Sequence, residues 1–365
     1  MANCLKSSAT VSPPRSADPM SRRLVLHIGD CKTGSTILQT MLARGDGQPL
    51  SQTLFTPGQG VHGALARGLG DRKSLYPDRW QGVARRLNNA QWDVAVLSSE
   101  LFEFIRPNAV ARAVRNHLPD YAENTTVVAY VRPHIGRVLS QFAENLKLGH
   151  DTETLAAFVD RFVAAGRLQY AERLSRWKDA FGDRLVVRPF VRDRLQAGDV
   201  RHDFLTLLFG DGQYTLRDSG QDSNAALTVP DLAIMRLLQR RFAVAGDMPM
   251  DNRVAFGKRF GQLLRYTPPG VATEKLRLPR AEYDRLKDAC KQDAMRMDAD
   301  WFGGPCFVPE LERAGAETID APQSLEASDY HGPETLRLMT AWADLLVRQM
   351  TDDPKDFGKR LRPPG

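Results

Sequence analysis

Short apolar runs alternate with amphipathic segments through the first half of the chain. Helical spacing follows the first run, over Ser35–Arg44, and the third, where Ile135, Val138 and Phe142 fall on one face. The runs themselves are short and rich in β-branched residues, which predicts buried strands of a parallel sheet at residues 24–28, 94–97, 126–131 and 185–187. The pattern predicts an α/β fold, with a central, mostly parallel sheet flanked by helices.

The second half of the chain is predicted to be mainly helical. Helical periodicity covers residues 155–181, 231–243, 280–299 and 333–350. Residues 303–332 contain several prolines and acidic residues, which predicts a loop or linker. We therefore expect a disordered leader at residues 1–22, one large domain at 23–303, and a linker with a helical C-terminal extension at 304–365.

Composition narrows the class of protein. The 365 residues are 42% apolar and 26% charged, as in folded, water-soluble proteins. No apolar run reaches the roughly 20 residues that span a bilayer, and the first residues lack a signal-peptide core. The four cysteines show no metal-ligand spacing. A reducing compartment is then the default, so we expect a cytoplasmic protein without an integral membrane segment.

The net charge of +6 favours acidic partners: nucleic acid, an anionic membrane face, or a phosphorylated or sulfated small molecule. Residues 253–287 carry nine Lys and Arg against three acidic residues. Such a run is most often a solvated surface, and an entry for an acidic acceptor is the alternative. No aromatic stacking motif accompanies it, so we predict no nucleic-acid partner.

The segment after the first strand has the composition of an anion-binding loop. Gly29 and Gly34 permit the tight curvature that turns successive N–H groups inward, and the helix after them adds its positive dipole end. Lys32 adds a mobile positive charge, whereas Asp30 has the wrong sign and must point away. Hydroxyl groups supply further donors. The candidate anion ligands are Gly29, Cys31, Lys32, Thr33, Gly34, Ser35 and Thr36.

The glycine spacing of this loop matches that of nucleotide triphosphatases, but the lysine does not. In those enzymes the lysine follows the second glycine directly, whereas Lys32 lies two residues before Gly34. The second predicted strand leads into Ser98, Ser99 and Glu100 rather than an obvious Mg²⁺-binding aspartate. A nucleotide kinase or NTPase with a displaced lysine stays open as an alternative.

A second basic motif follows the third strand. Arg132 ends that strand, and Arg137 and Ser140 are three residues apart, hence neighbours on one helical face. Guanidinium groups and a hydroxyl at a strand's carboxyl end can hold a dianionic phosphate by forked hydrogen bonds. A nucleotide bound across two strand ends of a parallel sheet would use both motifs.

Residues 27–36, HIGDCKTGST, followed by Leu38 and Gln39, resemble the 5′-phosphosulfate loop of sulfotransferases that use 3′-phosphoadenosine 5′-phosphosulfate (PAPS), in its bacterial form HIG-x-x-KTG-[ST]-T-x-[LI]-Q. Residues 130–142 resemble the family's 3′-phosphate motif, with Arg132 and Ser140 in the matching positions and Arg137 beside them. A weaker likeness at 170–190 and 222–230 extends the resemblance over roughly residues 22–303. The resemblance implies a P-loop NTPase-like sulfotransferase fold, PAPS as donor, PAP as product and no required metal.

Sulfuryl transfer to a hydroxyl needs a proton acceptor and a cation at the leaving oxygen. Lys32 fits the second role. Glu100, at a strand's carboxyl end, is the candidate base, with helix capping as its alternative role. His62, in a segment that resembles the family's acceptor site, competes as base, while His27 is expected in the core and Arg188 near cofactor or acceptor.

The acceptor is expected to be a hydroxyl of a glycan, lipid or small metabolite, and the residues indicate no oligomeric state. A different functional class, a nucleotide-binding or nucleic-acid-binding protein without catalytic activity, stays open as an alternative hypothesis.

Overall fold

The computed structural model describes residues 22–58, 60–70, 76–217, 226–245, 248–267, 274–352 and 354–361. The predicted leader lies outside these residues apart from Arg22, as do residues 222–225 of the weaker motif at 222–230. Arg22 is buried, with its guanidinium 5.2 Å from the centroid of the Trp92 ring.

A five-stranded parallel sheet forms the centre, in the order β3 (Leu54–Phe55), β4 (Val94–Ser98), β1 (Arg23–His27), β5 (Thr125–Val131) and β6 (Leu185–Pro189). In the register, His27 lies beside Ser98 on one side and Val128 on the other. The first strand is therefore the switch point at which the chain changes sides, and the carboxyl ends open a crevice there. Two further strands, β2 (Gly47–Pro49) and β7 (Tyr214–Leu216), form a separate antiparallel pair.

Helices cover the sheet and form the second half of the chain, as predicted. They are α1 (Ser35–Arg44), α2 (Gly63–Gly70), α3 (Tyr76–Asn89), α4 (Pro107–His117), α5 (His134–Leu148), α6 (Leu155–Ala164), α7 (Tyr170–Phe181), α8 (Val200–Phe209), α9 (Val229–Val244), α10 (Met250–Tyr266), α11 (Arg280–Arg296), α12 (Phe307–Ala316), α13 (Pro333–Asp352) and α14 (Pro354–Arg360). The predicted fold class, a mostly parallel sheet flanked by helices with a mainly helical C-terminal part, is confirmed.

Both faces of the sheet are buried, which explains the continuous apolar run of β1. Leu24 and Leu26 pack in a cluster with side chains of α2, α3, α4 and α7. Val25 points to the opposite face and packs with residues of α1 and α8. A third apolar cluster joins α5 and α6 to the helices from α9 onward. All three strand residues have no exposed surface, as expected for the centre of a parallel sheet.

Two predictions of local structure are wrong. The helical segment 155–181 is broken between α6 and α7, where Gly166 adopts a left-handed φ of 64°. The predicted linker contains α12, because Pro309 falls in the helix's first turn, where no intrahelical donor is lost. Phe307 of α12 is 1% exposed and packs in the same cluster as Leu24. The domain division at residue 304 stays a prediction.

Three of the nine cationic side chains in the basic stretch at 253–287 contact other parts of the fold. Arg253 is buried and donates to the carbonyl of Gly149 at 2.8 Å. Arg277 donates to the carbonyl of Glu317 at 2.9 Å, and Arg285 forms an ion pair with Asp160. These arginine side chains are therefore already bound to other groups of the protein. In the part of the chain that the structure covers, no helix is both long and apolar enough to cross a membrane.

Candidate active site

The segment between β1 and α1 forms a cradle of main-chain donors. Gly29, Lys32 and Gly34 all have left-handed backbone, with φ values of 56°, 72° and 78°. The helix begins after Gly34 without a side-chain cap. Within the described ranges, the main-chain N–H groups of residues 32–36 have no acceptor. Free N–H groups at a helix N-terminus, with the helix dipole behind them, are suited to bind an anion.

A buried network of charged side chains holds the loop between β1 and α1 in place. Asp30 is 1% exposed and accepts two hydrogen bonds from Arg173, at 2.5 and 2.7 Å, so its charge points away from the cradle. Arg137 donates to the carbonyl of Cys31 at 2.6 Å and to Glu103 at 3.0 and 3.2 Å, and Glu103 accepts the Cys31 N–H at 2.9 Å. Burial opposes ionisation of Glu103, but Arg137 and Arg173 outweigh it and lower its pKa. The network therefore fixes the conformation of the loop at Asp30 and Cys31.

Two predicted cofactor ligands are engaged in this network. Both main-chain polar groups of Cys31 are used, and burial raises the pKa of its thiol, so the thiol stays protonated. The terminal nitrogens of Arg137 face the loop and Glu103, and its side chain is buried. Direct contact of these two residues with a ligand stays a prediction, and in the structure they act on the shape of the loop.

Arg132 lies beside the same loop with donors to spare. Its guanidinium donates to the carbonyl of Lys32 at 3.2 Å and lies 6.0 Å from the centroid of the Phe190 ring. Among the residues that the structure describes, no carboxylate pairs with it. Burial, and then the like charge of Arg137, lower its pKa, as expected for a cation removed from water without a counterion. An anion bound here would supply that counterion.

The predicted hydroxyl donors divide into two groups. The Ser35 hydroxyl is buried and has no hydrogen-bond partner among the described residues, although a buried hydroxyl without one is costly. Thr36 is exposed at the start of α1, and Ser140 is half-buried on α5. The Thr33 hydroxyl donates to the carbonyl of Asp30 at 2.6 Å, inside the loop. Ser35 therefore has unused hydrogen-bonding capacity, whereas Thr33 offers a ligand only its N–H.

Lys32 reaches across to α5. Its ammonium nitrogen lies 3.1 Å from Oε2 of Glu144, which also accepts a 2.5 Å hydrogen bond from Lys147. Burial would raise the pKa of Glu144, but Lys147 and Lys32 lower it to about 2. The loop lysine thus has a carboxylate partner in this structure.

Glu100 stands at the carboxyl end of β4, next to the loop. Gln39 of α1 donates to its Oε2 at 3.0 Å and to the Ser98 hydroxyl at 3.3 Å. A Cβ on Gly29 would lie 3.2 Å from Cα of Glu100, so the glycine allows the loop to approach the strand end closely. Capping of the following turn is performed by Ser99, whose hydroxyl accepts from the Leu101 N–H at 3.2 Å. The Glu100 carboxylate is not needed as a cap.

His62, the competing candidate base, has both ring nitrogens engaged in this structure, and its role as a base stays a prediction. Its Nδ1 accepts from the Ser98 N–H at 3.0 Å, so Nε2 carries the proton and donates to the carbonyl of Pro57 at 2.8 Å. Burial lowers the pKa of its ring. Both nitrogens are used by main chain, which leaves no lone pair for a substrate proton. Arg188 is likewise engaged, since it pairs with Asp203.

His27 lies in the core, as expected, and gives the fold a pH dependence. It has no exposed surface, its Nδ1 lies 2.8 Å from the Ser98 hydroxyl, and burial lowers its pKa to about 4. Because the unfolded chain binds the proton more tightly, the stabilisation is complete above about pH 6.5 and is lost as pH falls toward 4. We expect the free energy of unfolding to drop by about 2 kcal/mol between pH 7 and pH 5, as measured by urea denaturation.

The matched variant for this prediction is His27→Asn, whose side chain can keep the contact with Ser98 but does not titrate. Its free energy of unfolding should change distinctly less between pH 7 and pH 5. An equal drop in both proteins would show that other groups, such as His62, carry the effect.

Glu103, Arg173, Glu144 and Lys147 belong to the site and escaped the sequence analysis. Glu144 could have been found, because it follows Ser140 by four residues and so shares its helix face. For Arg173 and Glu103 no local signal exists. In the described part of the chain, no cluster of His, Cys, Asp or Glu could hold a metal ion.

No protein-family model and no curated protein matches the chain. Among solved structures, it is similar to the crystal structure of a sulfotransferase from Alicyclobacillus acidocaldarius. That match has 17% sequence identity and a TM-score of 0.39, and it covers 64% of this chain and 94% of the other.

Proposed function

We propose that the protein transfers a sulfuryl group from PAPS to a hydroxyl of an acceptor. One observation carries the proposal: the open donors of residues 32–36 lie next to the Arg132 guanidinium, which lacks a carboxylate partner in the described chain. A ligand with one anionic group at its 5′ end and a second on its 3′ oxygen would use both the main-chain donors and the Arg132 guanidinium.

Each predicted cofactor ligand then has a role. The N–H groups of the cradle, with Ser35 and Thr36, hold the 5′-phosphosulfate, and Arg132 and Ser140 hold the 3′-phosphate. Gly29 and Gly34 give the loop its left-handed turns. Arg137 acts through the loop and Glu103. Additional direct contacts of Cys31, Thr33 and Arg137 belong to the same prediction.

Two charged side chains act in the proposed chemical step. Glu100, oriented by Gln39, takes the proton of the acceptor hydroxyl as the new S–O bond forms. Lys32 stabilises the negative charge on the oxygen that the sulfur leaves. The S–O bond to the 5′-phosphate breaks, the sulfuryl group passes to the acceptor oxygen and the donor departs as PAP, and no step requires a metal. A hydroxyl of a glycan, lipid or small metabolite, in the cytoplasm, is the acceptor that we predict.

Ligand-dependent thermal stability tests the proposal. We expect PAP at about 100 times its Kd to stabilise the protein by ~2.7 kcal/mol, a shift in Tm of several degrees. ATP with Mg²⁺ should give less. Arg132→Met should remove most of the PAP shift, whereas Arg176→Met, an exposed arginine paired with Glu172 on α7, should keep it.

The two alternatives give different results in the same experiment. Greater stabilisation by ATP with Mg²⁺ than by PAP would support a kinase or NTPase and overturn the proposal. Failure of both nucleotides, together with binding to DNA or RNA that weakens steeply with salt, would support a nucleic-acid-binding protein.

A further inference from the structure

The loop lysine is held by a carboxylate that lies on the ligand-binding side of α5. Arg137, Ser140 and Glu144 follow one another at helical spacing, so they share one face of this helix. Arg137 contacts the loop at Cys31 and Glu144 contacts it at the Lys32 ammonium, 3.1 Å away. Ser140, which we assign to the 3′-phosphate, lies between them. Glu144 therefore competes with a bound donor for the charge of Lys32.

Glu144 has a second cationic partner that is fixed. Lys147 is 8% exposed and donates to the same carboxylate at 2.5 Å. Its backbone and stem are enclosed by a close crossing of α5 and α10. A Cβ on Gly257 would lie 2.1 Å from the Lys147 carbonyl, and one on Gly261 would lie 2.8 Å from its Cδ. These two glycines allow the helices to approach until the Lys147 side chain has little room to move.

The two lysines thus differ in freedom. Lys32 lies on a loop and its side chain is 27% exposed, whereas that of Lys147 is 10% exposed and packed. The carboxylate of Glu144 is partly buried, with 23% of its side chain exposed, and removing the partner of such a group is unfavourable when that partner is single. Because Lys147 stays, Glu144 keeps a counterion when Lys32 departs. The arrangement permits Lys32 to leave at modest cost.

We propose that Glu144 is a positioning residue for Lys32: it holds the ammonium before the donor binds and releases it to the donor's anionic group, while Lys147 keeps the carboxylate neutralised. This inference rests on the proposed function. It predicts that Glu144 weakens donor binding, and that it does so through Lys32.

PAP affinity, measured by titration calorimetry, tests this coupling in a double-mutant cycle of Glu144→Gln and Lys32→Met. We expect Glu144→Gln to tighten PAP binding roughly fivefold, the factor for one part-exposed ion pair that no longer has to break. In the Lys32→Met background the same substitution should change Kd less than twofold. Any general effect of deleting a negative charge near an anion persists in that background, so the difference between the two backgrounds isolates the part that acts through Lys32.

Lys147→Met provides a second variant with the opposite sign. It leaves Lys32 as the one lysine on Glu144, so PAP binding should weaken severalfold. Equal effects of Glu144→Gln in both backgrounds, or weaker binding of PAP by that variant, would show a structural role and overturn the inference. Absence of PAP binding to the unchanged protein would overturn the proposed function and this inference together, whereas binding without coupling overturns the inference alone.

Discussion

We expect Lys32→Met to lower the rate of the proposed sulfuryl transfer about 100- to 1000-fold, because removing one preorganised hydrogen-bond donor from a developing oxyanion costs this much in other enzymes. Methionine keeps the unbranched stem and the same left-handed backbone, so the variant should fold like the unchanged protein. The measurement is transfer of labelled sulfate from PAPS into a cell extract that supplies hydroxyl acceptors. Circular dichroism and thermal melting check the fold.

Lys178→Met is the matched control for this variant. Lys178 lies near the end of α7 and pairs with Asp183 at the surface, away from the loop. Its replacement removes the same charge from the protein and should leave the rate unchanged. If a folded Lys32→Met protein kept more than a tenth of the activity, the role of Lys32 at the leaving oxygen would be refuted.

The elements that place the site were predictable because their signals are local. A short β-branched run, two glycines, a lysine and a helix with regular apolar spacing are contiguous, and the structure has β1, the loop and α1 in these places. The same holds for β5 and the arginine that follows it. Shorter elements such as β3, with two residues, hold too few positions for a period to be seen.

The partners of the site residues were not predictable, because they come from distant parts of the chain. Asp30 and Arg173 are 143 residues apart, and the sequence around either residue contains no pattern that predicts the other as its partner. His62 shows the same dependence on tertiary packing. Its sequence context favoured a base, but the N–H of Ser98, at the end of β4, occupies the ring nitrogen that a base would need. Sequence patterns assigned residue types to the site, and only tertiary packing decided which atoms were free.

The assignment of Glu100 as the general base is the prediction that most directly distinguishes an enzyme from a binding protein. Glu100→Gln should lower the transfer rate about 100- to 10,000-fold, the range for loss of a general base. Glutamine is nearly isosteric, and its amide oxygen can still accept from Gln39, so the strand end and the loop should keep their shape. PAP affinity should stay within twofold, because the role assigned to Glu100 involves the acceptor proton and no contact with PAP.

Glu123→Gln, at an exposed carboxylate 3.6 Å from Arg184, is the control for the charge change and should leave the rate unaltered. Two outcomes would count against the assignment. An unchanged rate in Glu100→Gln would mean that Glu100 is not the base. A parallel loss of rate and PAP affinity would mean that Glu100 shapes the donor site through the adjacent Gly29, and the proton would then need another acceptor. His62 would have to give up a main-chain hydrogen bond to take that role, because both of its ring nitrogens are bound to main chain.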